Sequence, residues 1–516
     1  MNNKLAKASL VLFLVTILSK VAAFFVTLVF SYYFGTDSVT DAYYAAGTIP
    51  NLVNNSLTIC ALTLFIPVYA KCKSEAGEER ADEFTSNILN AFVLFNLVLF
   101  ITVCIVSPIL AKLVAPGFSD EGLLHTQRMI CFLSVSFPIT VGTHVLINLC
   151  NANQAYVLPA FLTFLNHVFI IILTVILAPV FGIYVYPFIC SGAWLTQLSI
   201  LYFWSNRRLF YYKFVINTQD AYFKYILKYS VPVMMTTAAD QINLAADNII
   251  SSDLPSGSLS CLGYAHRIFN SINGIVTATL LTIYYPIISK QYVDHDKISL
   301  DKSLHMYFEI MLLLTLPVSF FLIGNANSVI SVLFNRGAMT EDDIIKISFL
   351  FIFYVSGLLF LSMKEFVTRL FYIIGETRKP TMINSLCVAL NICLSLFFKK
   401  IWGIYGIAIA TTIATAICAL VESVLLLYQA GGLAALKRHQ VINEKSLIQI
   451  FTASCFAMFI TMLFQRTVLT GNGVTSILSS GCIYFVILLI ILFFLKNEST
   501  IFIFNKVLKK DKGVSK

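Results

Sequence analysis

Charge is what this sequence has least of. Only 12% of its 516 residues are Asp, Glu, Lys or Arg, about half the share of a soluble globular chain. Hydrophobic residues make up 58%, and this balance points to a membrane before any motif is read. The twelve cysteines are scattered with no CxxC among them, the closest pair being Cys387 and Cys393; that excludes a disulfide framework or a zinc ribbon and leaves small apolar packing as their role. A glycine-rich phosphate loop followed by Lys-Ser/Thr is missing, and so is HExxH. Segments between apolar runs stay near or below about 25 residues, too short for a nucleotide-binding domain. An ATP-driven pump in one chain is thereby excluded, and uphill transport would draw on an ion gradient or the membrane potential.

What is present is a long series of apolar runs, each able to cross a bilayer as a helix of about 20 residues. Helices satisfy their own backbone in lipid, and the short alternating segments of an outer-membrane barrel are not seen. Fourteen candidate spans are expected at 8–34, 43–70, 84–112, 126–150, 158–179, 182–204, 221–252, 261–289, 304–326, 343–373, 380–398, 402–428, 446–465 and 474–495. With both ends cytoplasmic, 24 of the 35 Lys and Arg fall on the inner segments and five on the outer ones, Lys112, Arg336, Lys399, Lys400 and Arg466. That asymmetry fits the positive-inside rule, with Lys399 and Lys400 the exceptions. The formal charge of +9 thus reflects topology and predicts no nucleic-acid partner. The first run is too long for a signal peptide, carries Lys20 and lacks a small-residue cleavage pattern, so it is expected to be a retained helix.

Three anchors recur at nearly constant offset. "FIPVYAK" at 65–71 matches "YYPIISK" at 284–290, "VAPGFS" at 114–119 matches "FNRGAM" at 334–339, and Pro159 followed by "GIY" at 182–184 matches Pro380 followed by "GIY" at 403–405. These imply a duplication of a six-span unit. An even number of spans gives both copies the same orientation, so the halves relate by an axis along the membrane normal. The expected fold is an all-α polytopic membrane protein of about 14 transmembrane helices. Two six-helix lobes, 1–219 and 220–430, surround a central cavity, and 431–516 adds two helices and a basic cytoplasmic tail. The architecture suits alternating access.

Polar residues inside apolar spans are costly and mark candidate sites. Span one carries Lys20, with Thr16, Thr27 and Ser31 on its face. Span two carries Asn51, Asn54, Asn55 and Ser56 just after Pro50, which should kink the helix. Span seven carries Asp240, Asn243 and Asp247 on one stripe, and span eight carries His266, Arg267, Asn270 and Asn273. These four spans are the first and second of each half, so their stripes are expected to line one water-filled cavity. The alternative for each charge is a buried ion pair, such as Arg267 with Asp240 or Asp247. Lys364, Glu365 and Arg369 sit where snorkelling accounts for them, and Glu309 and Glu422 are expected to be structural.

In order along the chain, "FGTDSVTDAYYAAGTIPNLVNN", "FIPVYAK", "APGF", "QINLAADNIISSDLPSGSLSCLGYAHRIFN", "VLFNRGAMT" and "RLFYIIGETRKP" resemble the MurJ/MviN family of the multidrug/oligosaccharidyl-lipid/polysaccharide exporter superfamily. The resemblance implies a flippase that moves lipid II, an undecaprenyl-diphosphate-linked glycolipid, across the bacterial cytoplasmic membrane. A cationic cavity takes the diphosphate and sugar, and a groove beside the two extra helices takes the polyprenyl tail. It implies substrate contacts at Lys20, Asp41, Asn54, Asn55 and Arg267, to which the polar stripes add Asn51 and Asn270. It also implies ion coupling at Asp247, Asn391 and Ser395, with a Na+ ion at Asp247 and Asn391, and the span-seven stripe adds Asp240 and Asn243 to that group. Family charges are replaced by Val26, Thr27, Asn54 and Asn55, and Lys20 stands for an arginine, so the cavity is less cationic than the family pattern. No tightly bound cofactor is expected, only Na+, H+ or potential coupling. A monomer among membrane lipids, near cell-wall synthesis enzymes, is the expected setting. Competing readings are a flippase for a capsule- or teichuronic-type lipid-linked glycan, a cation-coupled multidrug exporter, and a non-transporting scaffold.

Overall fold

In the computed structural model the described residues are 3–59, 62, 64–429, 444–467, 473–497 and 500. They form helices and connecting turns, and no sheet is present among them. The helices are α1 (Asn3–Phe34), α2 (Ser38–Asn51), α3 (Phe65–Val114), α4 (Asp120–Ser134), α5 (Ser136–Ala152), α6 (Val157–Phe181), α7 (Tyr186–Ser205), α8 (Ala221–Ser251) and α9 (Ser258–Val293). Then come α10 (Lys297–Gly324), α11 (Ala326–Phe334), α12 (Glu341–Ser356), α13 (Leu358–Ile373), α14 (Arg378–Trp402), α15 (Ile404–Gln429), α16 (Glu444–Thr467) and α17 (Val474–Phe494). Among the described residues, each of the fourteen expected spans falls largely on helix. Ten helical stretches among the described residues are long and apolar enough to cross a membrane, and the bent pair α12–α13 makes an eleventh. The helices over 38–59, 186–205 and 221–251 fall short of that measure, so the number fourteen rests on the sequence.

Apolar composition makes these segments helical, and proline and glycine punctuate them. The kink expected at Pro50 takes the form of a change in helix type: Leu52–Ile59 winds as a π-helix directly after α2. Wider winding of this kind is rare and concentrates at functional sites. The fourth and tenth spans are both broken near their middles, at Val135 and at Gly357, where α12 and α13 bend by 43°.

The duplication is written in the turns. Gly182 and Gly403, at the expected offset, both take positive φ and close their preceding helices through bonds of 2.9 Å to Ala178 and Lys399. Gly35 and Gly257 likewise both take positive φ between the first two helices of each half.

The chain divides into two compact units, Met1–Gly263 with Arg336–Thr340, and Tyr264–Asn335 with Glu341–Lys516. These packing units differ from the repeat halves, since α8 packs within the first. The core of the first unit gathers Phe65, Tyr69, Phe84, Val145 and Leu149, with the start of α8 added through Phe223 and Ile226. In the second, α16 and α17 pack on α10 through Leu312, Leu316, Ile450 and Tyr484. Polar ties fix both ends of that contact. Ser446 donates to Glu309 at 2.5 Å and Asn497 to Ser446 at 2.9 Å, while Gln465 donates to Asn325 at 2.6 Å. The expectation that Glu309 is structural agrees with this geometry.

Candidate functional site

Asp41 has the best-defined surroundings of the candidate residues in the first unit. It lies in the first turn of α2 and is 3% exposed. Its Oδ2 accepts from the Gly257 N–H and its Oδ1 from the Ser260 N–H, each at 2.7 Å. Those amides open α9, where four backbone N–H groups lack helical partners. A carboxylate meets them and the positive end of the helix dipole together. Asp41, expected to touch substrate, thus caps a helix belonging to the other half of the repeat.

Around this cap, turns from both halves interlock within the first unit. Ala338 donates its N–H to the Tyr32 carbonyl at 2.9 Å, and Gly117 donates its N–H to Ser252 Oγ at 3.1 Å. The matched turns "VAPGFS" and "FNRGAM" therefore each dock on the opposite half, the first on the turn after α8 and the second on the end of α1. Only glycine fits at Gly337, which has φ +70° and whose Cβ would overlap Tyr32; the same addition at Gly117 would overlap the backbone of Asp253. Further along the seam, Asn248 donates to Thr48 at 2.9 Å and Asn55 to Gln241 at 3.4 Å. Asn54 turns elsewhere and accepts from Thr140 of α5 at 3.0 Å. Asn51 is exposed.

The expected stripe on α1 runs from open to buried. Lys20 and Thr16 are exposed, with Lys20 in the electrostatic neighbourhood of His167, while Thr27 and Ser31 are buried. On α8, Asp247 is buried and Asn243 half-buried; the side chain of Asp240 lies outside the described residues.

The second unit holds the α9 stripe. Arg267 is half-buried beside His266, whose ring lies 5.4 Å from that of Tyr354. Asn270 is exposed, with its amide nitrogen 3.3 Å from His266 Nδ1. Deeper on α9, Asn273 donates to Glu365 Oε1 at 3.0 Å, Thr277 donates to Asn273 Oδ1 at 2.7 Å, and Ser362 lies 2.5 Å from Thr277. This chain of hydrogen bonds ends on a carboxylate that the sequence reading left to snorkelling; the geometry corrects that reading for Glu365. Arg369 stacks over Tyr285 at 5.7 Å. Asn391 and Ser395 are both buried on α14, with Ser395 Oγ 3.5 Å from Asn391 Oδ1. Asp247 belongs to the first unit and these two to the second.

The fold is the one shared by solved transporters of the multidrug/oligosaccharidyl-lipid/polysaccharide class. An inward-facing multidrug resistance MATE transporter of the MOP superfamily superposes with a TM-score of 0.64 at 16% identity, covering 80% of this chain and 99% of that one. A lipid II flippase MurJ in its inward closed conformation superposes with a TM-score of 0.80 at 23% identity, covering 96% and 100%. The family model described as lipid II flippase MurJ matches residues 30–479, and the chain belongs to that family. Among curated relatives, the probable lipid II flippase MurJ of Buchnera aphidicola subsp. Baizongia pistaciae is 27% identical over 483 residues, 90% of this chain and 91% of the relative. That of Thermotoga maritima is 25% identical over 467 residues, 90% and 92%. The chain is accordingly a multi-pass membrane protein.

Proposed function

We propose that this protein is the flippase that carries lipid II from the inner to the outer leaflet of the bacterial cytoplasmic membrane by alternating access. The observation that carries the reading is the single family match over residues 30–479, which takes in Asp41, the helix end it caps, and Arg267. The protein is a transporter, and its substrate is an undecaprenyl-diphosphate-linked glycolipid. It works as a monomer close to the enzymes that polymerise the wall.

With both termini cytoplasmic, the Asp41 seam lies at the outer end and bars exit. Outward opening separates Asp41 from its two amides. A hydrogen bond to a charged group contributes roughly 1.5–3 kcal/mol, and water recovers part of that on opening. The seam therefore sets a gap of a few kcal/mol, within reach of the ~5.5 kcal/mol that fully inverts a two-state equilibrium. Arg267 and Lys20 hold the diphosphate, and Asn51, Asn54, Asn55 and Asn270 hold the sugar and neighbouring polar groups. The tail stays in lipid beside α16 and α17. Asp240, Asn243 and Asp247 are the candidate ion-coupling residues of the first unit, and Asn391 and Ser395 those of the second. The membrane potential adds about 2.3 kcal/mol per charge per 100 mV, and a negative interior favours outward movement of an anionic headgroup.

Complementation tests the reading. Expression in cells depleted of their own lipid II flippase restores growth. Failure with verified membrane insertion transfers the assignment to another lipid-linked glycan, and a change in drug sensitivity alone transfers it to a multidrug exporter.

A further inference from the structure

Residues 206–220 join α7 to α8 without helix or sheet ladder, so their backbone groups need other partners. They find them on side chains of α3. Lys213 N–H donates to Ser86 at 3.1 Å, Asn217 N–H to Asn87 at 2.7 Å, and Tyr211 N–H to Asp82 at 3.0 Å. Asn87 returns a bond to the Asn217 carbonyl at 2.9 Å, and Asn90 donates to the Val215 carbonyl at 3.1 Å. Ion pairs from Lys213 to Glu79 at 2.8 Å and from Arg80 to Asp220 fasten the strap. One face is thus fully engaged.

The other face is open and has a composition of its own. Phe203 is 78% exposed, Phe214 79% and Tyr211 63%. The strap begins in a tight turn in which Ser205 O accepts from both Arg208 and Leu209, and Arg207 N–H donates to Phe210 O at 2.8 Å. Arg207 is held there at φ +69°, a left-handed conformation unusual for arginine. Arg208 lies over the Trp204 ring at 5.4 Å. Lys224 and Lys228 stand exposed on the first turns of α8. Among the described residues, none of these four cations forms an ion pair, although Lys213 alongside forms two. Asp82, Glu83 and Asp220 are engaged on the docked face, while Glu78 and Glu79 stand exposed and pair with Lys73 and Lys213.

Depth supports the same assignment. The strap runs along α3 from Asp82 to Asn90, about 12 Å of helix rise, where the apolar run of that helix begins. Aromatic rings and cations at that level are the chemistry of a membrane interface. We propose that this strap docks on the anionic phospholipid headgroups of the cytoplasmic leaflet, Arg207 and Arg208 meeting phosphate while Phe203 and Phe214 enter the acyl boundary. The proposal rests on the orientation given under Proposed function and is independent of which lipid is transported. Charge complementarity selects the occupant, each basic residue near an anionic surface contributing about 1 kcal/mol.

The test uses the full chain in lipid nanodiscs, with Trp194→Phe and Trp402→Phe leaving Trp204 as the sole tryptophan. Brominated phosphatidylglycerol quenches Trp204 at several-fold lower mole fraction than brominated phosphatidylcholine. Arg207→Gln with Arg208→Gln removes that difference while phosphatidylcholine still quenches. Equal quenching by both lipids in the parent overturns the proposal, as does a phosphatidylglycerol preference that survives the double substitution. Relief of quenching by a trace of polyprenyl diphosphate would instead make the strap a stop for the transported lipid, and also overturns it. The readout needs no flipping, so a failed complementation and a failed lipid preference remain separate results.

Discussion

Asp41 Oδ2 lies 2.7 Å from the amide nitrogen of Gly257, 216 residues further along the chain. The same carboxylate holds Ser260, so one side chain of the first half caps the second helix of the second half. Asp41→Ala leaves two buried amides without acceptors. The loss is about 1–3 kcal/mol for each group left unsatisfied. Flipping is expected to fail while membrane insertion stays normal, and the 252–258 turn becomes more accessible to protease. Asp41→Asn keeps one accepting oxygen and falls between. Wild-type growth of the alanine variant would falsify the latch.

The interlocked turns make a steric prediction. Gly337→Ala and Gly117→Ala place a Cβ against Tyr32 and Asp253, and at Gly337 the positive φ adds backbone strain. Both variants are expected to insert normally and lose most complementation. Gly274→Ala is the control, because nothing lies within 4 Å of its added Cβ and alanine gains up to ~1 kcal/mol of helix propensity. Equal behaviour of all three would remove the seam from the mechanism.

Arg267 offers a planar, bidentate partner for phosphate that lysine cannot reproduce. Arg267→Ala is expected to abolish complementation at normal expression, and Arg267→Lys to retain part of it. Full activity of the alanine variant would show that no substrate phosphate depends on this side chain.

Asp247 is a buried acid among the proposed coupling residues. Asp247→Asn is expected to leave flipping insensitive to sodium or to membrane potential, read in vesicles with imposed gradients. An unchanged ion dependence discards the coupling role.

Much of this was legible in the sequence because it follows from composition and period. Apolar runs gave the helices, and the repeated "GIY" and glycine turns marked the duplication that Gly182 and Gly403 display. Asp41 was singled out, but as a substrate contact. Its amide partners lie more than 200 residues away, and no local periodicity reports such a pairing. A helical wheel puts Thr16, Lys20, Thr27 and Ser31 on one face of α1, yet a wheel does not know that the neighbours bury Thr27 and Ser31 and leave Lys20 open. The strap at 206–220 shows no periodicity at all; its order comes from Ser86, Asn87 and Asn90 on a neighbouring helix.

Glu365 is the sharpest case of that limit and yields a prediction that separates three roles. A snorkelling glutamate makes no fixed contact, so both Glu365→Ala and Glu365→Gln would be neutral. A carboxylate needed for its charge would make both severe. The observed chain, Thr277 to Asn273 to Glu365, requires an acceptor at that point. Glutamine still presents an oxygen to Asn273, whereas alanine strands its amide at a cost of about 1–3 kcal/mol. We therefore expect Glu365→Gln to complement nearly as wild type and Glu365→Ala to lose thermal stability together with much of its activity. Asn273→Ala should reproduce the alanine phenotype, and combining it with Glu365→Ala should add little, because both remove one shared contact. Additive losses in that cycle would show that the two residues act separately.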